Sequence, residues 1–192
     1  MMIVTLKGNE WVINKRRNKK NKVIVNKTLD SIDIQEIVMN NGEGEQIKLS
    51  GKLIDSTYKD LLLEFNIVSL GKITPEIKNL KLEGEVNGTL NIYQENGKYL
   101  PSSNLTMTDF AVNDVRLGNL GVEIVGNDDL SSFEVETHLK NNGVDRFSIF
   151  GNIYNKDNTQ TVDLDIKFND FLLEPFSAIG EGIITNIRGI VN

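Results

Sequence analysis

The stretch "NLKLEGEVNGTLNIY", Asn79 to Tyr93, decides the fold. Leu80, Leu82, Gly84, Val86, Gly88, Leu90 and Ile92 fall on one side of an alternating chain. Asn79, Lys81, Glu83, Glu85, Asn87, Thr89 and Asn91 fall on the other. Strict period-two alternation marks a half-buried β-strand, because successive side chains point to opposite faces. At ~3.3 Å per residue an unbroken strand of this length would reach roughly 45–50 Å, far beyond the common ~5–6 residues. A break or bend at a glycine is the expected resolution.

The same alternation recurs along the chain. Ile47, Leu49, Gly51 and Leu53 share a face, as do Leu61, Leu63, Phe65 and Ile67. So do Phe133, Val135, Thr137 and Leu139; Phe147, Ile149, Gly151 and Ile153; and Val162, Leu164, Ile166 and Phe168. Turn-forming clusters separate them: "NNGEGE", "DST", "ENGK", "GNDD", "NNGVD" and "NKDN". No stretch sustains a 3.6-residue period, and the best helix candidates are short, near Leu70–Ile77 or Phe171–Ile179. The reading is all-β: about ten to thirteen strands in an antiparallel meander, since short connections join antiparallel neighbours. A sheet that is apolar on one face must cover it by curling, by a second sheet or with an apolar ligand. The predicted architecture is a long, curved, partly open β-trough with an apolar inner face, spanning residues 1–192; a closed β-sandwich is the alternative.

The chain also repeats itself. Ile47 to Leu53 corresponds to Phe147 to Ile153, with Gly51 matching Gly151. Leu61-x-Leu63-x-Phe65-Asn66 corresponds to Leu164-x-Ile166-x-Phe168-Asn169. A loop with Leu70 and Pro75 then matches one with Leu173 and Pro175, and a glycine-bearing strand closes each unit. Two related units, about 46–92 and 146–192, are the mark of a stackable architecture. Gly51, Gly84, Gly88 and Gly151 all fall on the apolar parity, where a strand glycine signals a bend or a close backbone approach.

Composition narrows the function. The 192 residues carry a formal net charge of −6, which argues against nucleic acid as a general partner, because phosphate binding needs clustered Lys and Arg. Cysteine is absent and His138 is the single histidine, so thiol chemistry and a multi-His/Cys zinc site are excluded. No apolar run approaches the ~20 residues of a membrane-spanning helix, and "MMIVTLKGNEW" lacks the regions of a signal peptide.

Three blocks carry a family resemblance: "LEGEVNG" at Leu82–Gly88, "LTMTDFAVNDVRLGNLGVEI" at Leu105–Ile124, and "FNDFLLEPFSAIGEGIITNIRGIV" at Phe168–Val191. The order of "GNEW" before "NNGEGEQIKLSGKL" fits as well. From Trp11 onward the sequence resembles the TamB family, the translocation and assembly module proteins of the Gram-negative envelope, related more distantly to AsmA-like proteins. The resemblance implies a β-rich tube or trough lined by apolar side chains. It also implies an inner-membrane anchor, a periplasmic location and an outer-membrane β-barrel partner. The implied role is phospholipid transport to the outer membrane or outer-membrane protein assembly. With no anchor or signal in the chain, it is expected to be an internal or truncated segment of such a protein.

The expected lining, on the apolar parity, is Ile47, Leu49, Leu61, Leu63, Phe65, Leu80, Leu82, Val86, Leu90, Phe133, Val135, Phe147, Ile149, Leu164, Ile166 and Phe168. Its expected ligand is the acyl chain of a phospholipid, each CH₂ of which gains about 0.8 kcal/mol on leaving water. The same residues would equally build a closed core. Other features read more plainly. "KRRNKKNK", Lys15 to Lys22, is a solvated hairpin tip or, less often, a contact for nucleic acid or anionic head groups, of which a phospholipid head group is favoured. His138 falls on the polar parity with Glu134 and Glu136, and the acidic turns at Asn127–Asp129 and Asp157 lack the spacing of a calcium loop. Pro75 and Pro175 should end strand pairing at a rim, with Leu172, Leu173 and Phe176 plugging an end or covering the groove. No nucleophile–base pair, metal cluster or cofactor loop is present, so the reading is a non-enzyme without cofactor. A β-sandwich module binding sugar or protein is the alternative function.

Overall fold

The alternating stretches become strands and the turn signals become hairpins. The computed structural model describes residues 2–6, 9–13, 21–127, 131–156, 159–176 and 190–191. Its strands are β1 (Met2–Leu6), β2 (Asn9–Ile13), β3 (Lys22–Val25), β4 (Ser31–Asn40), β5 (Gln46–Ile54), β6 (Tyr58–Ser69) and β7 (Leu82–Glu95). They continue as β8 (Lys98–Val112), β9 (Val115–Gly126), β10 (Ser132–Asn141), β11 (Val144–Lys156), β12 (Thr159–Phe168), β13 (Phe171–Leu172) and β14 (Ile190–Val191). One short helix, α1 (Leu70–Ile73), and a 3-10 turn at Glu174–Phe176 lie at two of the places where the sequence suggested helix.

Twelve strands form one antiparallel sheet in the order β1-β2-β4-β5-β6-β7-β8-β9-β10-β11-β12, with β3 paired to β4. From β4 onward sheet order follows chain order, which is a meander. The hairpin residues Asn96-Gly97, Asn113-Asp114 and Asn142-Gly143 have positive φ at both positions, 49° and 82°, 50° and 65°, 51° and 78°. That conformation lets a two-residue turn match the twist of its strands, and Asn, Asp and Gly are the residues that adopt it.

The sheet does not close on itself. β12 ends it on one side and β1 and β3 on the other, and the second sheet among the described residues is the two-stranded pair β13–β14. The closed sandwich is therefore not what forms. The sheet curls instead. Strands two apart lie about 10 Å from each other in a flat sheet, yet Cα atoms of β8 and β10 come within 8 Å across β9. Register shifts at Phe65/Val68, Glu83/Glu85 and Met107/Phe110 mark bulges near one end, where they add bend and twist. Ile67 sits at the first with φ 52°, a strained conformation for a β-branched residue, and its N–H donates to Asn87 Oδ1 at 2.9 Å.

Gly51 and Gly151 bend the strands at matched places. Their φ values are 132° and 151°, and a Cβ on either would lie 1.9 and 2.1 Å from the carbonyl oxygens of Asp60 and Asp163 on the next strand. Only a residue without Cβ permits that approach. The pairing around them is also matched. Ile47, Leu49 and Gly51 face Phe65, Leu63 and Leu61; Phe147, Ile149 and Gly151 face Phe168, Ile166 and Leu164.

Two expectations need correction. β7 begins at Leu82, not Asn79, because Asn79 adopts φ 62° and the Leu80 N–H bonds the Ile77 carbonyl at 3.1 Å, closing a turn. Leu80 is therefore outside the strand. Of the glycine-bearing strand expected to close the second unit, the described residues Ile190 and Val191 pair with Leu172 and Phe171 and do not extend the sheet beyond β12. Among the described residues no helix is long and apolar enough to cross a membrane, which says nothing about crossing by strands.

Candidate functional site

Partners in an antiparallel register point to the same face, so the pairings assemble the alternating residues into rows. One row runs Ile47, Phe65, Gly88, Leu105, Val122, Thr137, Ile149, Ile166. The next runs Leu49, Leu63, Leu90, Ser103, Ile124, Val135, Gly151, Leu164. Beyond it lie Gly51, Leu61, Ile92 and Pro101 and, on the far strands, Gly126, Phe133, Ile153 and Val162. On the opposite side is the row Val68, Val86, Met107, Leu120, Leu139, Phe147, Phe168. Fifteen of the sixteen residues expected to line the apolar face belong to this sheet; Leu80 packs beside it from the preceding turn.

The rows differ in burial, and that difference defines the trough. The bulged end is closed by two plugs. In one, Val112, Leu117, Leu139 and Phe171 are buried, with Leu80, Leu82, Phe147, Phe168, Leu173 and Phe176 packed around them. The Phe171 ring lies 5.4 Å from Phe147, 5.6 Å from Phe168 and 5.7 Å from Phe176, within the range of favourable aromatic pairing. In the other plug, Trp11, Ile47 and Val68 are buried against Val4, Met39, Leu63, Phe65 and Ile73 of α1. The expected lining residues Ile47, Leu82, Val86, Phe147 and Phe168 are thus core at this end, and Leu173 and Phe176 join Phe171 in the plug, while Leu172 pairs with Ile190. Away from it, Leu49, Leu61, Leu90, Val135, Ile149 and Leu164 are half-buried although strands flank them on both sides or on one, and Leu63 is half-buried beside the Trp11 plug. Ile166 is 49% exposed and Val162 61%. Phe133 is the exception and is buried.

Polar groups fix the plugs. The Glu45 carboxylate is buried; it accepts the Ser69 N–H at 2.8 Å and the Lys72 ammonium at 2.9 Å, and Lys72 also pairs with Glu43. Hydrogen bonds from Lys72 to Glu43 and Glu45 push the Lys72 pKa above 10.5. Asn113, at the β8–β9 turn, accepts the Lys81 N–H at 2.8 Å and donates to the carbonyls of Asn79 at 3.2 Å and Pro175 at 2.8 Å. It ties the strand entering β7 to the plug. Pro175 is buried there, while Pro75 is exposed after α1.

His138 stands on the outer face, its Nε2 2.8 Å from Glu136 Oε1 and its Nδ1 3.2 Å from Asp145 Oδ1. Among the described residues no group of three His, Cys, Asp or Glu is placed to hold a metal. Of the basic run only Asn21 and Lys22 are described; Asn21 is buried and accepts the Val38 N–H at 2.9 Å. Asp128, Asp129 and Asp157 lie outside the described residues, while Asn127 Oδ1 accepts the N–H groups of Ser131 and Ser132.

The sequence reading omitted several lining residues. Leu105, Met107, Val122 and Ile124 belong to the same rows, and their own alternation in "LTMT" and "GVEIV" carried the signal. Lys59 was also missed. It lies two residues before Leu61, on the apolar parity, and pairs with Leu53 and Gln94. The fold and this face define an all-β protein built as an open trough. No family model, no curated protein and no solved structure matches the chain.

Proposed function

We propose that the chain is a non-enzymatic lipid-binding segment of the cell envelope, shielding phospholipid acyl chains along its apolar trough. The observation that carries this reading is the group Leu49, Leu61 and Leu90: central in the sheet, apolar, and only half-buried. Side chains in a finished core at such positions would be fully buried, and an exposed contiguous apolar surface marks a site for an apolar partner. The trough form is also what the resemblance to TamB-like proteins implies. On that reading the chain serves phospholipid transport between the membranes, or outer-membrane protein assembly, in the periplasm. It would do so as part of a longer, inner-membrane-anchored protein with an outer-membrane β-barrel partner.

Mass spectrometry of lipids extracted from protein purified without detergent tests the proposal. Co-purifying phospholipid near one or more per chain is expected, and Leu90→Arg should remove it while the strand signature in circular dichroism persists. Lipid-free protein that also fails to take up phospholipid from vesicles sinks the reading. The β-sandwich adhesion alternative has no closed sandwich to rest on.

A further inference from the structure

The trough is not uniform from end to end. At the plugged end apolar side chains fill the inner face, whereas the row at the opposite end, Leu53–Lys59–Gln94, brings a charge onto it. Across the inner-face rows of β5 to β12, Lys59 is the one charged residue among those described, and it makes no ion pair or hydrogen bond with any of them. Beside it, the side-chain oxygen of Gln94 is buried and has no hydrogen-bond partner. Two rows deeper, Ser103 is 7% exposed and its hydroxyl is likewise unpaired on the floor of the trough. Folded proteins pair nearly all buried polar groups, and each one left unpaired is costly. A free cation next to an unpaired acceptor at the mouth of an apolar channel is complementary to an amphiphile whose head carries a negative charge and a hydrogen-bond donor.

We propose that this mouth is the head-group site of an anionic, hydroxyl-bearing phospholipid, with its phosphate on Lys59, a head-group hydroxyl on Gln94, and its acyl chains running toward the plugged end. This rests on the lipid-trough reading and gives the lipid a class and a direction. The Ser103 hydroxyl, roughly 13 Å further along the strand direction at ~3.3 Å per residue, lies under the upper part of the chains.

Displacement of a fluorescent fatty acid from the purified chain tests this, using phosphatidylglycerol, phosphatidylcholine and diacylglycerol with the same acyl chains. Wild-type protein should bind phosphatidylglycerol about fivefold or more tighter than diacylglycerol, the scale set by one basic side chain at an anionic head group. Lys59→Gln should bring phosphatidylglycerol down to the diacylglycerol level and leave diacylglycerol unchanged. Gln94→Leu should erase the margin of phosphatidylglycerol over phosphatidylcholine. If the wild type binds diacylglycerol as tightly as phosphatidylglycerol, or if Lys59→Gln changes neither, the head-group site is wrong and the trough stands. If none of the three lipids binds, the trough reading falls as well.

Discussion

The hairpins β5–β6 and β11–β12 carry matching sequence and matching register, and they live in different surroundings. Both place an apolar pair, a second apolar pair and a bent glycine in the same order. β6 is then held on its far side by β7, whereas β12 is the last strand of the sheet. As a result Leu63 is half-buried and packs against the Trp11 cluster, while its counterpart Ile166 is 49% exposed. Identical alternation therefore yields a trough floor in one place and an exposed rim in the other. Burial here is contributed by neighbouring strands and by the plugs, and the residue pattern alone does not set it.

The sharpest way to break the match is at the two glycines. Gly51→Ala would drive a Cβ into the Asp60 carbonyl on a strand fixed from both sides. A loss upward of about 4 kcal/mol is expected, read as a fall in Tm of ten degrees or more. Gly151→Ala makes the same clash with Asp163, but β12 can peel away. Its cost should stop at about 1–3 kcal/mol, with fast amide exchange confined to β12. Equal losses at the two sites would mean that β12 is as firmly held as β6.

A charge introduced along the face should give three graded results. Val112→Asp buries a carboxylate in the plug, where exposure is 0%, and should unfold the domain. Leu63→Asp places it on a half-open floor and should cost about 1–3 kcal/mol, and Ile166→Asp, on the rim, under about 0.5 kcal/mol. Urea melts of the three rank them. A large loss at Ile166 would contradict an open trough.

A further effect is expected at alkaline pH. The folded pKa of Lys72 lies above 10.5, so its pairing with Glu43 and Glu45 contributes fully below pH 10.5 and is lost as pH rises through the higher folded value. Urea stability should fall above pH 10.5 in the wild type and fall less in Lys72→Met. At neutral pH that variant should lose about 1–2 kcal/mol, because Glu45 stays buried without its cation.

Much of this was legible in particular residues. Asn96-Gly97 and Asn142-Gly143 announced hairpins because few residues adopt two positive φ angles in succession. The apolar parity announced the inner face, including Gly51 and Gly151 at the bends. The misreadings were at turns and ends. Leu80 obeys the parity yet sits in a turn, since the left-handed Asn79 interrupts the strand. Lys59 obeys the parity too, and was passed over because a charge does not register as part of an apolar pattern.

The sequence by itself determined the strands, their antiparallel order and which side chains share a face, because these follow from local alternation and short turns. Only the tertiary structure decided that Phe147 and Phe168 are plug and Leu61 and Leu90 are floor, and that Lys59 stands at the end away from the plugs. Those outcomes depend on how far the sheet curls and on what packs across its end. Both are set by contacts between residues distant in the chain, which period-two alternation does not encode.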